Sequence, residues 1–390
     1  MNHNLVKYEV LEVSKSLRKI AVLGGGNGAH AMAADLSLAG HEVSMYELPR
    51  FKKNIEVALK RGEIEITGLA RRGTAKLNRV TTNIQEAIKD AEFIMVVVPS
   101  FGHKAFAEVC APYLGDGQTI VLWPGNMGSL EFARILKEEH VERDIVLAET
   151  STLPYGCRLI GPAQVDCMLL ATKFSVAAFP AKNTEEVVKD LREIYPITEI
   201  DGLRMHQIIS GTNVVEVALS NPNPIIHPPA TLLNAGRIEY SRGEFYLYRE
   251  GITRSVQRVI RAVYEEILDV GKALGVNPIM YDEDAFRSTL SAMAEIFQAP
   301  FDTAGIIAGV KGPFDMQDRY VTEDIPYGLV PVSQLGDLLT VPTPVIDTQI
   351  TLLSVINQTN YWKEGRTLEK LGISKMSKEE LQKFLMEGRV

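Results

Sequence analysis

The chain has 390 residues, 46% of them hydrophobic and 23% charged, which suits a globular protein of two domains. A net charge of −8 and a pI near 5.5 argue against nucleic acid or an anionic membrane as a partner. Three cysteines without metal-ligand spacing, no apolar leader in residues 1–18 and no apolar run of about 18 residues predict a cytoplasmic protein that holds no metal and crosses no membrane.

The first motif predicts a strand, a tight turn and a helix. A short apolar run is typical of a buried parallel strand, and four glycines follow it within five residues. In this context Gly24-x-Gly26-x-x-Ala29 is a dinucleotide fingerprint. Gly24 permits the turn, Gly26 lets a pyrophosphate approach the backbone, and Ala29 keeps the helix close to the strand. We expect Asn27 and Gly28, where the helix begins, to face the phosphates.

The next predicted strand ends in an acid. Glu47 follows Gly26 by about 20 residues, the separation at which a carboxylate holds the ribose hydroxyls of a dinucleotide. The alternative is a glycine-rich hairpin with a solvated glutamate. Because Glu47 would repel a 2′-phosphate, we predict NAD as the cofactor, with NADP as an alternative through Arg50, Lys52 and Lys53.

Strands and helices alternate up to about residue 200, which predicts an α/β fold with a Rossmann-type, doubly wound parallel sheet. Ligands bind such sheets outside the carboxyl ends of the strands. We therefore predict Val98 and Pro99 at the cofactor and Asn126 at the substrate. Each strand end alone is more often a plain turn, but with the glycine loop three of them outline one crevice: Val98-Pro99-Ser100, Pro124-Gly125-Asn126 and Glu149-Thr150-Ser151.

The pattern changes after residue 200, and residues 201–390 predict an all-helical domain for substrate binding and catalysis. Residues 1–200 then form the NAD(P)-binding domain, with residues 1–17 as an N-terminal extension. Apolar residues at helical spacing predict helices over residues 205–220, 252–274, 283–297 and 345–356.

Two segments of this second domain carry candidate chemistry. In Asn221-Pro-Asn-Pro-Ile-Ile-His-Pro-Pro229 the prolines predict a rigid, non-helical loop, and such a loop suits a positioned imidazole at His227. The alternative is a structural histidine bonded to a carbonyl group. Further on, Arg319 offers a fork for a carboxylate, and the acidic pair that ends at Asp324 could orient a histidine. A surface turn with solvated charges explains that segment equally well.

The chain resembles the octopine/nopaline (opine) dehydrogenase family over nearly its whole length. That resemblance implies a Rossmann domain joined to a helical domain, in an arrangement like that of 6-phosphogluconate dehydrogenase, with the active site between them. It also implies the NAD(P)H-dependent reductive condensation of a pyruvate-like 2-oxo acid with the amino group of an amino acid, and the reverse oxidation. The matching motifs are Gly24-Gly-Gly-Asn-Gly-Ala29, the loop at His227 with Thr231-Leu-Leu-Asn-Ala235, Arg319-Tyr-x-x-Glu-Asp324, Val341-Pro-Thr-Pro-x-Ile-Asp347 and Glu364-Gly-Arg-Thr-Leu-Glu-Lys-Leu-Gly372.

The resemblance also implies residue roles. The catalytic histidine of the family falls on His227, and its aspartate partner falls on Asp324. Thr150 matches a position that lines the oxo-acid site, and we predict Arg319 as a carboxylate clamp. The partners are then small molecules, and the sequence leaves a homodimer open.

Two alternatives remain at this point. A simple 2-hydroxyacid or polyol dehydrogenase would use the same scaffold and the same acid without an amine. A protein that binds NAD and senses it without turnover would keep the nucleotide site only. Related dehydrogenases that depend on a lysine are disfavoured, because Thr212 stands where the glycerol-3-phosphate dehydrogenases and ketopantoate reductases have that lysine.

Overall fold

The structure is a computed structural model that describes residues 8–10, 16–287 and 291–389. Most of the predicted N-terminal extension and part of the helix predicted over residues 283–297 lie outside these residues. The strands are β1 Tyr8–Val10, β2 Lys19–Leu23, β3 Glu42–Tyr46, β4 Glu63–Gly68, β5 Gly73–Lys76, β6 Arg79–Thr81, β7 Phe93–Val96, β8 Gln118–Leu122, β9 Ile145–Thr150, β10 Tyr155–Gly161, β11 Gln164–Ala171, β12 Lys173–Phe179, β13 Thr198–Ile200, β14 Leu203–Met205, β15 Gln207–Ser210 and β16 Phe297–Gln298.

Eight strands form the main sheet of the N-terminal part, in the order β15-β12-β9-β8-β7-β2-β3-β6. Neighbouring strands are parallel except β9 and β12, which run antiparallel. The apolar runs that predicted β2, β7 and β8 are buried because helices cover both faces of a doubly wound sheet. The predicted α/β class is confirmed, and the carboxyl ends of β2, β7, β8 and β9 meet at one edge.

A second sheet lies beside the first and reaches into the other half of the chain. Its order is β10-β11-β4-β5, and β16 pairs with β11 through Leu170–Gln298 and Ala171–Phe297. A short strand of the C-terminal half is thus hydrogen-bonded to a sheet of the N-terminal half. The link is reinforced by Thr172, whose backbone N–H donates to the carbonyl oxygen of Ile296 at 2.8 Å.

The C-terminal half is mainly helical, which confirms the predicted helical domain, but it is not all-helical, because the strands β14, β15 and β16 also lie within residues 201–390. Its longest helix buries one apolar face, on which Val256, Ile260, Val263 and Ile267 keep helical spacing. No helix within the described ranges is long and apolar enough to cross a membrane. The α-helices are α1 Asn27–Leu38, α2 Glu56–Arg61, α3 Ile84–Ile88, α4 His103–Cys110, α5 Gly128–Glu138, α6 Thr184–Ile194, α7 Val214–Leu219, α8 Asn223–Leu232, α9 Ala235–Ser241, α10 Arg254–Leu274, α11 Met293–Ile296, α12 Thr303–Gly309, α13 Arg319–Thr322, α14 Val330–Leu339, α15 Pro344–Ile356, α16 Tyr361–Glu364 and α17 Lys378–Glu387.

Three local predictions in the second half are wrong. The helix predicted over residues 205–220 is a strand, β15, followed by the shorter α7, because β12 offers the chain a parallel partner. The helix predicted over residues 283–297 is a 3₁₀ turn at Glu283–Phe286 and a single helical turn, α11, before the chain joins the second sheet. The domain boundary predicted at residue 200 stays a prediction, although β15 extends the main sheet to Ser210.

The third correction concerns the segment that carries His227, which lies inside α8 and not in a loop. Pro224 stands near the start of this helix, where a missing N–H is harmless. Pro228 and Pro229 remove two further N–H groups, but residues 224–231 are all buried. Tertiary packing therefore holds the helix where the proline pattern argues against it.

Candidate active site

The glycine turn after β2 contains one glycine that the fold requires and one that borders open space. Gly24 has a φ of +124°, and a Cβ added there would lie 2.4 Å from the carbonyl oxygen of Val97. A Cβ added at Gly26 would find no atom within 4 Å. Helix α1 begins at Asn27, so its first N–H groups and the open face of Gly26 point to the same space.

Glu47 lies directly behind this turn. Its side chain is buried and accepts hydrogen bonds from the Leu48 backbone N–H at 2.8 Å and from Asn54 Nδ2 at 3.2 Å. A Cβ added at Gly25 would lie 2.7 Å from Glu47 Oε2, so the carboxylate touches the glycine loop. Burial raises the pKa of Glu47, although these two hydrogen bonds oppose the shift.

A cavity of about 340 Å³ opens at this edge of the sheet and extends between the two halves of the chain. Four strand ends meet there, as the alternating pattern predicted, and the helical half contributes the opposite wall. The lining residues are Gly26, Asn27, Gly28, Val97, Val98, Pro99, Trp123, Pro124, Thr152, Leu153, Tyr155, Gly156, Cys157, Arg158, Met168, Leu169, Asn223, His227, Tyr248, Met293, Phe297, Ile307, Val310, Arg319, Tyr320 and Glu323.

His227 is held on three sides by groups from three segments. Its Nδ1 lies 2.7 Å from Asp324 Oδ2, and its Nε2 lies 2.9 Å from the hydroxyl of Tyr248. The ring of Tyr320 stacks on the imidazole at 3.7 Å with an interplanar angle of 11°. All four side chains are buried, so the imidazole has one fixed position and both of its nitrogens are engaged.

Burial sets the charge of the His227–Asp324 pair. It lowers the pKa of His227, an effect to which nearby Arg319 adds, and it raises the pKa of Asp324 against the opposing effect of that arginine. Each shift favours the uncharged form of its group. The two groups share a hydrogen bond and therefore titrate as a pair. Because burial raises the pKa of Asp324 to about 8, the pair keeps near neutral pH one proton more than a neutral imidazole beside a carboxylate.

Arg319 brings a positive charge to the same cavity. Its guanidinium lies over the ring of Tyr320 at 5.3 Å, and its Nη1 is 3.7 Å from Glu323 Oε2. The side chain is 46% exposed, so the guanidinium is open to a ligand in the cavity. An arginine that is stacked and only loosely paired is a good partner for a carboxylate.

The structure brings most of the predicted site residues together, but not all. The predicted residues that line the cavity are Gly26, Asn27, Gly28, Val98, Pro99, His227 and Arg319. Asp324 is hydrogen-bonded to His227. Thr150 points into the sheet, where its hydroxyl donates to the carbonyl oxygen of Thr152 at 3.0 Å, and it is Thr152 that lines the cavity. Gly24, Ala29 and Glu47 support the glycine turn and are absent from the lining within the described ranges.

Asn126 belongs to a buried polar network that joins the two halves of the chain. Its Nδ2 donates to Ser100 Oγ at 2.9 Å, and its Oδ1 accepts from Asn221 Nδ2 at 2.8 Å. Ser100 also donates from its backbone N–H to Glu323 Oε1 at 2.8 Å. Two strand ends of the sheet are thus hydrogen-bonded to the helical half beside the cavity.

Arg366 completes this network with a buried charge. Its side chain is fully buried, and its guanidinium donates to Glu131 Oε2 at 2.9 Å. It also donates to the carbonyl oxygens of Asn126 at 2.9 Å and Ser100 at 3.1 Å. These hydrogen bonds cross between the halves, because Arg366 lies between α16 and α17 of the helical half while the groups that accept them belong to the Rossmann part. The arginine therefore fixes the position of one wall of the cavity relative to the other.

Sequence reasoning missed Tyr248, Tyr320 and Arg366 as functional residues. Tyr248 lies on a π-helical turn, Leu247–Gly251, for which the sequence carries no recognisable pattern. Tyr320 and Arg366 stand inside the motifs at Arg319 and Glu364 that carried the family resemblance. Reading those motifs residue by residue is the signal that would have found them.

Two family models match the chain. Residues 19–138 match the model described as NAD-dependent glycerol-3-phosphate dehydrogenase N-terminus. Residues 210–357 match the model described as NAD/NADP octopine/nopaline dehydrogenase, alpha-helical domain. The region matched by the second model includes both His227 and Asp324.

Individual proteins match over most of the chain. An opine dehydrogenase of Arthrobacter sp. (strain 1C) is 37% identical over 355 residues, which are 91% of this chain and 95% of the relative. An octopine dehydrogenase of Mizuhopecten yessoensis is 25% identical over 85% of this chain and 88% of the relative. The fold is similar to that of an octopine dehydrogenase solved with NADH and agmatine, with a TM-score of 0.72 at 19% identity over 96% of this chain and 98% of that one. A yersinopine dehydrogenase with NADP⁺ bound gives a TM-score of 0.68 at 15% identity over 94% of this chain and 98% of that one.

Proposed function

The chain belongs to the octopine/nopaline dehydrogenase family, and from that premise we propose how its residues carry out the reaction. The protein is an NAD(P)-dependent oxidoreductase that acts on CH–NH groups by opine-type reductive condensation of a 2-oxo acid with an amine. One observation carries the assignment of its site: a buried, hydrogen-bonded His227 opens onto the same cavity as the free face of Gly26.

The glycine turn fits a dinucleotide. The space beside Gly26 is one that a Cβ would fill, and the first N–H groups of α1 face it. Gly26, Asn27 and Gly28 would hold the pyrophosphate, and Glu47 the ribose hydroxyls. Val98 and Pro99 would contact the cofactor at the end of β7. When bound, the reduced cofactor supplies a hydride to the substrate carbon.

The acid–base group is the set Asp324, His227 and Tyr248. Condensation turns the C=O of the oxo acid, the H₂N of the amine and one added proton into a protonated imine, C=NH⁺, and water. The added proton goes to the departing oxygen, and hydride addition to C=NH⁺ then gives the neutral secondary amine. With the extra proton on the pair, Nε2–H of His227 donates to Tyr248, and the Tyr248 hydroxyl donates to the oxo oxygen. Asp324 fixes the imidazole by its contact with Nδ1 and shares the extra proton of the pair with it. In the reverse oxidation the same set accepts the proton.

Arg319 provides the clamp for a carboxylate of the substrate. Its guanidinium is half-exposed in the cavity and adjoins Tyr320, the residue that stacks on His227. A carboxylate held there brings the adjacent carbonyl of an oxo acid to the neighbourhood of the imidazole. The three cysteines are free and buried, which suits a reducing compartment, and we therefore place the enzyme in the cytoplasm. The acidic net charge suits small molecules as its partners.

The test is a matrix of oxo acids against amino acids. NADH consumption is followed by absorbance, and the product is identified by mass spectrometry as a secondary amine. We expect consumption only when both substrates are present. Consumption with an oxo acid alone would indicate a simple 2-hydroxyacid dehydrogenase, and NADH binding without consumption for every pair would indicate a sensor.

A further inference from the structure

A second cavity, of about 240 Å³, opens where α4 and α5 of the Rossmann part meet the segment around Arg366. Both halves of the chain contribute to its lining. Among the described residues, none lines both this cavity and the one at His227. The second cavity is therefore a separate space that the proposed reaction does not use.

The second cavity is positively charged, although the protein as a whole is acidic. Besides Arg366, three cationic residues line it: Lys104, Arg134 and Lys370. The charge of Arg366 is balanced by its buried pair with Glu131. In the part of the chain that the structure describes, Glu364 is the single carboxylate that remains in the lining against those three charges. An excess of positive charge in a recess favours an anionic ligand.

Two of these cations have N–H groups to spare. Lys104 Nζ lies 3.7 Å from Glu108 Oε1 in an ion pair on the surface, and its side chain is 61% exposed. Arg134 donates from Nε to the carbonyl oxygen of Lys370 at 2.8 Å and pairs through Nη1 with Glu138. Its Nη2 makes no hydrogen bond to the described part of the chain. An ammonium group and one edge of a guanidinium therefore remain for the oxygens of a ligand.

The third cation is fixed in place by the backbone. Lys370 Nζ donates to the carbonyl oxygens of residues 363, 364 and 365 at 3.1, 2.7 and 2.8 Å, at the end of α16. These carbonyl oxygens hold the ammonium group but do not cancel its charge. Lys370 thus adds a fixed positive charge from the helical half, whereas Lys104 and Arg134 belong to the Rossmann part.

Two aromatic rings border the same space. Phe101 is 52% exposed, and Tyr327 is half-buried beside it, with ring centroids 6.5 Å apart and an interplanar angle of 60°. The guanidinium of Arg366 lies over the ring of Tyr327 at 5.0 Å. A flat ring placed against Phe101 would remove its exposed apolar surface from water. The lining therefore suits a ligand that is anionic at one end and aromatic at the other.

The lining is connected to the catalytic side by hydrogen bonds. Ser100 belongs to it and also donates from its backbone N–H to Glu323 Oε1 at 2.8 Å. Tyr327 donates from its backbone N–H to the carbonyl oxygen of Glu323 at 3.0 Å, and Glu323 precedes Asp324 in the chain. A ligand in the second cavity would therefore act on the segment that carries the partner of His227.

We propose that the second cavity is an effector site for a small organic anion that carries a carboxylate or a phosphate on a flat aromatic ring. Lys104 and Arg134 bind the anionic group, and the ring covers Phe101 and Tyr327. The ligand contacts both halves of the chain and thereby opposes their separation. The inference goes beyond the proposed function, since neither the substrates nor the cofactor occupy this space.

The first test measures binding to the NADH-saturated protein by isothermal titration calorimetry. The probes are phenylacetate and phenyl phosphate, and their fragments are acetate, inorganic phosphate and benzyl alcohol. We expect at least one ring anion to bind about tenfold more tightly than its fragments, because it uses the charges and the rings together. The tighter of the two probes identifies the anionic group. Ring anions that bind no better than their fragments would overturn the proposal.

Variants of Lys104 test where the probe binds. Lys104→Met should weaken binding of the tighter probe about threefold and Lys104→Glu about tenfold, since the charge is first removed and then reversed. Lys137→Met and Lys137→Glu are the matched controls, because Lys137 is also an exposed lysine on a helix but lies outside the lining. Phe101→Ala should remove the advantage of the ring anion over the anionic fragment. An unchanged Kd in Lys104→Glu would contradict the site.

The third test asks whether the site acts on turnover. The cavity at His227 lies between the two halves, so a ligand that joins them should slow product release and lower kcat about twofold at saturating substrates and NADH. In Lys104→Glu the same probe concentration should leave kcat at the value of that variant without the probe. An inhibition that higher pyruvate reverses fully would place the probe in the cavity at His227, and a bound probe that leaves kcat unchanged would contradict the effector role. Failure of the proposed function is distinguishable, because it would abolish NADH consumption and leave the binding results as they are.

Discussion

The cofactor side and the catalytic side of the cavity are built in different ways. The first comes from one continuous stretch, from β2 through the glycine turn to Glu47, and it offers mainly backbone N–H groups and open space. The second brings together His227, Tyr248 and Asp324 from separate segments, 21 and 97 residues from the histidine, and it consists of buried side chains. One side is therefore sensitive to added volume and the other to lost hydrogen bonds and charge.

The largest expected effect falls on the catalytic side. His227→Asn keeps some hydrogen bonding but has no group that titrates near neutral pH, so kcat should fall by about 10²- to 10⁴-fold while NADH binding is preserved. The matched control is His140→Asn, since His140 is exposed and is not among the residues that line the cavity. Steady-state kinetics and NADH fluorescence titration measure both quantities. Near-normal turnover in His227→Asn would exclude this histidine as the acid.

A double mutant shows whether the catalytic side acts as one unit. Asp324→Asn should also lower kcat, because an amide can hold the wrong tautomer of the imidazole. If Asp324 acts through His227, the double mutant will be little worse than His227→Asn alone. Losses that multiply would mean independent roles.

The next effect concerns the contact that joins the two sides. Arg366→Ala would leave Glu131 buried without its partner and leave the carbonyl oxygens of Ser100 and Asn126 without this donor. Removing one member of a buried ion pair costs about 3–5 kcal/mol of unfolding free energy. Urea denaturation measures it, with Arg261→Ala, at an exposed surface pair, as a control that should show no measurable change. Equal unfolding free energies for the two variants would contradict the role of Arg366 in joining the two walls of the cavity.

On the cofactor side the expected change is steric. Gly26→Val places a side chain where the protein itself leaves room, so the variant should fold normally. The added volume should cost about 1–3 kcal/mol of binding, or about 5- to 150-fold in the Kd for NADH. Gly236→Val is the matched control, because Gly236 is equally open but lies on α9, away from the cavity. Unchanged NADH affinity in Gly26→Val would place the cofactor elsewhere.

The pH dependence tests the shared proton of the catalytic side. Burial raises the pKa of Asp324 to about 8, so the pair keeps its extra proton below that pH and loses it above. The reductive reaction uses this proton, and its kcat should therefore fall up to tenfold per pH unit above about 8. The oxidative reaction needs a proton acceptor and should rise through the same range. In Asp324→Asn the change of kcat with pH above about 8 should disappear in both reaction directions. An unchanged pH dependence in this variant would mean that another group titrates there.

The sequence could predict the cofactor side better than the catalytic side, because the first comes from one continuous stretch and the second from separate segments. The glycine turn and Glu47 follow from a local pattern, because one strand, one turn and one helix fix their positions. The proline-rich segment was wrongly predicted to be a loop, since burial of α8 outweighs the local proline signal. The strand β15 depends on a partner, β12, that is distant in the sequence. Tyr248 meets His227 only in the folded chain, on a π-helical turn that local propensity does not encode.

The smallest expected effect is the choice between the two nicotinamide cofactors. Glu47 is buried against the glycine loop, where a 2′-phosphate would meet its negative charge, so kcat/KM should favour NADH over NADPH by about tenfold. Glu47→Gln keeps the size and removes the charge, and it should bring the ratio close to one. Since burial raises the pKa of Glu47, the carboxyl gains its proton at a higher pH than usual, and the preference should weaken as the pH falls. Higher kcat/KM with NADPH in the wild-type protein would mean that Arg50, beside the carboxylate, receives the phosphate instead.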